Sequence, residues 1–422
     1  MAVESRFFDL IVCGGGMVGA TLVAALLPEA ERLDLRIALV EQSALPSVAN
    51  PEYQPSFDSR STALAAGSRT LLEQMGVWSD LAGHLSPIDE IQVSARGQFG
   101  QTRMRAEQEH VPALGYVVEN HWMGQVLMGQ IQRVEAQRVE LFSPARVTSI
   151  EPGLPLGQVV IEQEGGASLT LQAGLVVMAD GGRSELRRRM GIEYREQDYH
   201  QHALVANVGI DRPHKGIAYE RFTEDGPIAL LPIEPADGVA RMGLVWTLGD
   251  ESVDRIKGLS DTGFLNELQQ AFGYRAGAFV RVGERFSYPL KLTLADEQVR
   301  TGLVVLGNAA HALHPIAGQG FNLAVRGVAE LAQLIIDRKV AGLPLGELAV
   351  LQQFIDKRRR DQRRTITFGD SALKLFMSKN PLLRLGRSFG LQGLDLLPAG
   401  RTLLARAAMG LDTPAVRMRV DD

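Results

Sequence analysis

This chain of 422 residues contains a single cysteine, Cys13. A single cysteine cannot form an internal disulfide, and its apolar surroundings favour a small buried side chain. The formal net charge is only −5, so composition gives no support for nucleic-acid binding. No stretch reaches the roughly 20 apolar residues of a membrane span. The first residues do not resemble a signal peptide, so we expect a cytoplasmic protein, with peripheral membrane contact left open.

The first motif is a glycine-rich turn between two apolar strands. Phe8–Cys13 predicts a buried parallel strand, and Gly14-Gly-Gly-Met-Val-Gly19 follows it directly. Ala20–Leu27 predicts a helix that ends near Pro28, and Arg36–Glu41 predicts a second strand that finishes in an acid. Strand, glycine turn, helix, strand and acid together are typical of a dinucleotide site. The motif alone does not separate FAD from NAD.

Each residue type in this motif has a physical reason. Gly14, Gly16 and Gly19 let the backbone approach a pyrophosphate at the helix start, and Glu41 can bind a ribose hydroxyl. Arg60 follows at a distance compatible with a loop that returns over the phosphates. The alternative for any single arginine is a solvated side chain.

A second glycine-rich segment lies between Gly302 and Asn322. It predicts a buried strand over Leu303–Leu306, a loop, and a helix that begins near Gly320. The N–H groups at such a helix start lack partners and lie at the positive end of the helix dipole, which suits an anion or a carbonyl. A tight turn would explain the glycines, but not the cluster of His311, His314, Pro315, Gln319 and Asn322. We interpret this loop as the site of a flavin isoalloxazine.

A third apolar strand, Leu175–Met178, is followed after one residue by Asp180. Ser184 is expected to cap a short basic helix over Glu185–Arg189. A plain strand–turn–helix connection explains most of this pattern. An aspartate at the carboxyl end of a strand nevertheless lies where open α/β sheets bind ligands.

The middle of the chain predicts two β-rich blocks. The expected strands are Glu90–Ala95, Val139–Phe142, Gln158–Gln163 and Leu169–Gln172, then His202–Gly209, Ile217–Thr223, Pro227–Pro232, Ala240–Trp246 and Arg285–Leu290. Helical spacing marks Val118–Gln132, with Gln125 midway, and Leu259–Phe272. The run Ile228–Pro232 does not alternate in polarity, so we expect both of its faces to be covered. One face could cover a flavin and an apolar substrate, or the sheet could pack on another domain.

The C-terminal part is expected to be helical from Phe321 onward, and it is basic. The charge run Lys357–Arg360, continued by Arg363 and Arg364, is most often a solvated helix face. Beyond Ser371, leucines and phenylalanines interleave with basic residues, a composition typical of helices that lie on an anionic membrane or receive partner helices. Packing on the rest of this chain is an equal alternative.

Taken together, the three motifs resemble those of the group A flavoprotein monooxygenases, the family of p-hydroxybenzoate hydroxylase. Their order and spacing match over most of the chain. Within the family, the chain is most similar to the ubiquinone-biosynthesis hydroxylases, in the branch that acts on polyprenylated methoxyphenols. The segments behind this narrower resemblance are residues 57–67, Glu220-Arg-Phe-Thr223 with Gly226-Pro227, and residues 307–323.

The sequence departs from the family pattern at two positions. The wider family has an aspartate after the glycine of the last motif, where it binds the ribityl chain, and this chain has Asn308. Asparagine can still accept and donate hydrogen bonds, and the methoxyphenol branch resembles this chain in having it. The family often closes the motif with Arg-Asp, whereas here Gly327 follows Arg326.

The resemblance implies an α/β fold with a Rossmann-like FAD-binding domain of the glutathione reductase type. This domain would be interleaved with a β-sheet substrate domain and followed by C-terminal helices. Its three parts would span residues 1–86, 113–190 and 291–345. The substrate domain would span residues 87–112 and 191–290, and the C-terminal helices residues 346–422.

The resemblance also implies an enzyme in which NADPH or NADH reduces FAD, and O₂ then gives a flavin hydroperoxide that hydroxylates a prenylated phenol. The expected partners are that phenol and O₂, with membrane or ubiquinone-biosynthesis complex contact through the basic C-terminus; neither nucleic acid nor a metal is expected. The expected FAD contacts are Gly14, Gly16, Met17, Gly19, Glu41, Arg60, Gln125, Val147, Asp180, Asn308, Pro315, Gly318, Gln319, Gly320 and Asn322. The expected substrate pocket is formed by Arg221, Phe222, Leu230 and Trp246.

No residue stands out as the base that deprotonates the phenol. His314 is the best-placed candidate, because an imidazole titrates near neutral pH; a histidine that only stabilises the loop is the alternative. Hydroxylation of another ubiquinone-pathway precursor or of a soluble phenol stays open as an alternative. On related folds, reduction of a prenyl chain and lipid binding without catalysis also stay open. The single cysteine and the lack of a second dinucleotide motif argue against a disulfide reductase.

Overall fold

The computed structural model describes residues 5–45, 52–56, 60–97, 101–134, 137–182, 185–314 and 318–377, together with residues 402, 405, 406 and 409–411. Three predictions lie outside these residues: the flavin contact Pro315, the helix cap Ser184 and most of the basic C-terminus. None of the helices in the described ranges has an apolar stretch long enough to cross a membrane.

The first sheet carries the three motifs. Numbered along the chain, its strands are β1 (Ser5–Cys13), β2 (Ile37–Val40), β8 (Val139–Phe142), β9 (Ala145–Glu151), β10 (Gly157–Gln163), β11 (Ser168–Met178), β18 (Val299–Arg300) and β19 (Leu303–Val305). The strands β19, β11, β1, β2 and β8 are successive neighbours and run parallel. Parallel strands end at the same edge, so the loops that follow β19, β11, β1 and β2 meet there.

The second sheet is mostly antiparallel. Its strands are β5 (Glu90–Ala95), β6 (Gln101–Arg105), β12 (Tyr194–Ile210), β13 (Ile217–Phe222), β14 (Pro227–Ala236), β15 (Val239–Gly249), β16 (Phe279–Val282), β17 (Phe286–Ala295) and β20 (His311–Ala312). They follow the order β20-β17-β12-β15-β14-β13-β5-β6, with β16 beside β12. A third, small sheet joins β3 (Ser61–Ala65), β7 (Gly115–Glu119) and β4 (Ser86–Ile88).

The helices cover the two large sheets. They are α1 (Met17–Ala30), α2 (Ala66–Gln74), α3 (Trp78–Leu81), α4 (Asn120–Arg133), α5 (Leu186–Arg189), α6 (Asp250–Lys257), α7 (Asp261–Phe272), α8 (Gln319–Val340) and α9 (Leu348–Met377). α1, α4 and α8 share one apolar core with Leu10 and Val12 of β1. α6 and α7 form a separate core with the second sheet. Burial of apolar side chains between these layers is the main force that holds the arrangement.

Several predicted boundaries are wrong; β12, for example, begins at Tyr194 rather than at His202. α1 does not end near Pro28 but continues to Ala30, and the hydrogen bond that a proline cannot make is offset by the burial of the apolar residues around it. β11 is one strand where we predicted two. α4 begins at Asn120 rather than Val118, because Gly115–Glu119 pairs as β7.

The charge run in α9 is not uniformly solvated. Arg358 is buried and pairs with Asp361 at 2.7 Å. The same aspartate receives two hydrogen bonds from Arg326 of α8, at 2.9 and 3.1 Å. Where Gly327 replaces the usual aspartate of the family, α9 therefore supplies a carboxylate to Arg326.

Candidate active site

The three sequence motifs, far apart in the chain, meet at the carboxyl edge of the first sheet. Gly14 follows β1, Asp180 follows β11 and Gly307 follows β19. The loops touch, because a Cβ added at Gly14 would lie 2.5 Å from the carbonyl oxygen of Ala179. Gly14 has φ +112°, which side chains disfavour. The sheet order thus brings together residues that the sequence could only place at separate strand ends.

The start of α1 is shaped for a diphosphate. Gly16 caps the helix without any side-chain hydrogen bond, and a Cβ added there would meet no heavy atom within 4 Å. A Cβ at Gly19 would lie 1.9 Å from the carbonyl oxygen of Gly14, so only glycine allows this close packing. Met17 begins the helix, and the Glu41 carboxylate accepts a hydrogen bond from the Gly15 N–H at 2.7 Å. Open N–H groups at a helix start bind phosphate oxygens well.

The last motif connects the two large sheets. It leaves the first sheet after β19 and joins the second as β20, where His311 stands opposite Leu294. The hydroxyl of Tyr194 on β12 donates to the carbonyl oxygen of Ala309 at 2.8 Å. The loop that we predicted to hold a flavin ring therefore runs between the dinucleotide edge and the second sheet.

The start of α8 also offers open backbone. Gly318 caps the helix with φ +61° and no side-chain hydrogen bond, and a Cβ at Gly320 would meet no heavy atom within 4 Å. Gln319 is buried between them. These residues fit the expected role of N–H groups toward the pyrimidine carbonyls of a flavin, where negative charge gathers on reduction.

Asn322 holds this helix start in place. Its Oδ1 accepts hydrogen bonds from the Ala65 N–H at 2.8 Å and from the Ser68 hydroxyl at 2.7 Å. Its Nδ2 donates to the carbonyl oxygens of Ala63 at 2.9 Å and Gly318 at 2.8 Å. These four hydrogen bonds use both donors and both acceptor positions of the amide. The Asn322 side chain therefore positions the helix start and has no hydrogen-bonding group left for FAD.

Two buried histidines line the same loop. The ring nitrogens of His311 and His314 make no hydrogen bond within the described residues, and the His314 ring meets Tyr199 edge to face at 5.5 Å. Burial lowers the pKa of each to about 4. Both imidazoles are therefore neutral near pH 7. A pKa this low makes His314 a weak general base, which removes the reason for preferring it.

Buried polar atoms without partners mark positions where a ligand can supply one. The Oε1 of Gln125 on α4 is such an atom in the described part of the chain, while its Nε2 lies 2.9 Å from His121 Nε2. The Oδ1 of Asp180 accepts a hydrogen bond from the Gly182 N–H at 3.0 Å. Asn308 is exposed beside this loop.

The other two expected FAD contacts, Arg60 and Val147, have partners within the protein. Arg60 donates to the hydroxyl of Tyr288 at 2.8 Å and lies over Phe286, so it reaches the second sheet. Val147 is half-buried on β9 and packs against a core cluster that includes Phe142. Their contact with FAD stays a prediction.

Two contacts identify the face of the second sheet that meets the site. Asn207 of β12 donates to the carbonyl oxygen of Ser56 at 3.0 Å, and Arg241 of β15 pairs with Glu119 at 3.0 Å. Asn207 stands opposite Gly243. Side chains alternate along a strand, so every second residue of β12 and β15 shares this face, which we call the inner face.

Three of the four predicted pocket residues do not lie on the inner face. Leu230 and Trp246 are buried in the core that α7 shares with the sheet, and the Trp246 ring lies 5.9 Å from that of Phe264. Arg221 stands opposite Ile228 of the same core, so it also points away. Only Phe222 has the inner-face parity. The sequence did not separate the two faces because Ile228–Pro232 is apolar at every position, and the contact of these residues with a substrate stays a prediction.

One strand ties the inner face to the flavin loop. A Cβ at Gly243 would lie 2.4 Å from Ser61 Oγ, and a Cβ at Gly318 would lie 3.2 Å from Ala63 Cβ. Ser61 and Ala63 are two residues apart on β3. The start of α8 and the inner face therefore border one site.

Comparison with known proteins gives the class. Residues 8–339 match a family model described as an FAD binding domain. The chain is 33% identical over 404 residues to "Ubiquinone hydroxylase UbiL" of Rhodospirillum rubrum, covering 95% of this chain and 89% of that protein. It is 26% identical over 450 residues to the human "Ubiquinone biosynthesis monooxygenase COQ6, mitochondrial", covering 96% and 94%.

A solved structure has the same architecture. The p-nitrophenol 4-monooxygenase PnpA from Pseudomonas putida superposes with a TM-score of 0.76 at 16% identity, over 96% of this chain and 98% of that one. The predicted fold, a parallel FAD-binding sheet joined to an antiparallel sheet, is confirmed. The chain belongs to the FAD-binding family of flavin-dependent monooxygenases.

Proposed function

We propose that this monooxygenase hydroxylates the ring of a polyprenylated methoxyphenol in ubiquinone biosynthesis, in the manner of a 2-polyprenyl-6-methoxyphenol hydroxylase. The names of the two ubiquinone-pathway relatives support the pathway. The observation that carries the proposal is the contact of β3 with both Gly318 and Gly243. It puts an apolar sheet face next to the loop proposed for the flavin.

Each part of the site has its own task in this proposal. Gly14, Gly16 and Gly19 admit the diphosphate of FAD to the start of α1, and Gln125 donates or accepts near the ribityl chain. The backbone N–H groups from Gly318 onward bind the pyrimidine carbonyls. Bound FAD, reduced by NADPH or NADH, supplies the activation of O₂ that the side chains cannot provide.

The inner face binds the substrate in this proposal. A ring that carries a prenyl chain is largely apolar, so its transfer from water to half-buried valine and phenylalanine side chains is favourable. The long chain partitions into lipid, and we include in the proposal a peripheral membrane contact through the basic residues beyond Ser371.

Deletion of the gene in its native host tests the proposal. We expect a polyprenyl-methoxyphenol to accumulate and ubiquinone to fall, and we expect the intact gene to restore both. A matched strain that carries the Gly16→Val variant serves as the control for loss of FAD. Unchanged quinone levels, or accumulation of a precursor that already carries the new hydroxyl, would refute the assignment.

A further inference from the structure

One row of side chains crosses the inner face from strand to strand. Its members stand opposite one another in the strand register, and all are half-buried: Val93, Glu220, Ala229, Val245, Val205 and Phe286. Val205 and Val245 share the parity of Asn207 and Gly243, which fixes the row on the inner face. Five members are apolar, and Glu220 alone carries a charge.

Glu220 has no partner in the described part of the chain. It takes part in no hydrogen bond and no ion pair there, in contrast to Glu119 on the same side of the sheet, which pairs with Arg241. Burial alone raises the pKa of Glu220 to about 7. Partial burial of a carboxylate without a partner is costly. Such groups are concentrated at functional sites, where a ligand completes them.

The chemistry of the row selects the ligand. A hydrated cation would not fit among five apolar side chains, whereas a prenylated phenol has one hydroxyl donor on an otherwise apolar body. The row begins beside β6 and ends at Phe286, which lies under the Arg60 guanidinium. The ring can therefore lie along the row with its hydroxyl at the one acceptor.

We propose that Glu220 binds the phenol hydroxyl of the substrate and accepts its proton during hydroxylation. This inference rests on the proposed function. While the ring carbon bonds to one oxygen atom derived from O₂, the bond between the two oxygen atoms breaks and the phenol proton passes to the carboxylate. The ring carbon then loses its own hydrogen as a proton, which the other oxygen atom takes up as it is released as water, and Glu220 returns the first proton to the phenol oxygen. The carboxylate is unchanged after the cycle, and NADPH or NADH with O₂ supplies the electrons and the oxygen atom.

The test compares a phenol with its methyl ether, which lacks only the hydroxyl group that donates a hydrogen bond. The probes are 2-geranyl-6-methoxyphenol and its O-methyl ether, added to FAD-loaded protein while the flavin absorbance is recorded. The variants are Glu220→Gln and Glu220→Leu. The control is Glu90→Gln, which removes a carboxylate from the opposite face of the neighbouring strand β5, where Glu90 pairs with Arg105.

Wild type and the Glu90→Gln control should bind the phenol about 10-fold more tightly than the ether, the value of one charge-assisted hydrogen bond. Glu220→Leu should lose this preference while it still binds the ether. Glu220→Gln should form product at least about 100-fold more slowly, the usual contribution of a general base, with FAD content unchanged.

The outcomes separate this inference from the proposed function. If both Glu220 variants keep the wild-type preference and rate, the role of Glu220 is refuted while the substrate class stands. If wild-type protein binds neither probe, the proposed substrate class fails, and the inference fails with it.

Discussion

Arg241 on β15 and Glu119 at the end of β7 form an ion pair of 3.0 Å that is almost sealed from solvent, with side-chain exposures of 0% and 4%. The pair joins the second sheet to the strand that leads into α4. Burial raises the pKa of Tyr53, and the neighbouring Glu119 carboxylate raises it further. The pair therefore ties the second sheet to the small third sheet, whose strand β3 borders both Gly243 and Gly318.

Removal of one partner of this ion pair should strongly lower the free energy of unfolding. Arg241→Met leaves the Glu119 carboxylate buried without its cation, which costs about 3–5 kcal/mol of unfolding free energy. Denaturant unfolding of the purified protein measures the loss. The control is Arg281→Met, because Arg281 pairs with Asp237 at exposures of 46% and 68%, and exposed pairs contribute at most about 1 kcal/mol. Equal effects of the two substitutions would contradict the account.

The start of α1 gives a test of cofactor binding. Gly16→Val places a side chain where no protein atom stands within 4 Å, so the chain should fold normally but lose most of its FAD. Gly249→Val is a matched control, since Gly249 also caps a helix, has a similar extended backbone and would meet nothing within 4 Å. Flavin absorbance and thermal unfolding measure the two effects. Full FAD content in the Gly16→Val variant would show that the FAD diphosphate does not bind at the start of α1.

Asn322 gives a test of the α8 anchor. Asn322→Ala removes four hydrogen bonds and leaves buried groups without partners, which should cost about 2–4 kcal/mol of stability. FAD should also bind more weakly, because the start of α8 loses its position. Gln333→Ala on the exposed side of the same helix removes a hydrogen bond to Asp337 and should change neither quantity. Tight FAD binding by Asn322→Ala would show that the helix start does not contact the cofactor.

His314 predicts a pH dependence of stability. Its pKa falls from 6.5 to about 4 in the folded protein because of burial. The unfolded chain then binds the proton first as the pH drops below 6.5, so wild type loses about 2 kcal/mol from this group between pH 7 and pH 5. The His314→Asn variant has no imidazole to protonate at this position. Its unfolding free energy should therefore fall less than that of wild type between pH 7 and pH 5. Parallel curves for the two proteins would contradict the buried neutral imidazole.

The local structure of the three motifs could be predicted from the sequence. The glycine turn at Gly14, the strand before Asp180 and the helix start near Gly320 each depend on neighbouring residues, so periodicity and glycine placement revealed them. Their meeting at one edge depends on the order β19-β11-β1-β2. That order is set by pairings between distant segments, and only the resemblance to a family implied it.

The sequence did not predict which face of a strand each residue takes, nor which distant residues pair with one another. Over Ile228–Pro232, β14 is apolar on both sides, so nothing in its sequence distinguished Leu230, which faces away from the site, from Ala229 on the inner face. Glu220 was visible only as part of a motif, and its isolation depends on the register of β13 with β5 and β14. Asp361 meets Arg326 across two helices that follow one another in the chain, a contact that helical periodicity does not predict.

The most direct test of the central claim follows the oxygen atom. Purified FAD-loaded protein is supplied with NADPH, 2-geranyl-6-methoxyphenol and ¹⁸O₂, and the product is analysed by mass spectrometry. We predict a ring-hydroxylated product that carries one ¹⁸O atom from each O₂ consumed. A product with a reduced prenyl chain and no label, or NADPH oxidation that yields only hydrogen peroxide, would contradict the account.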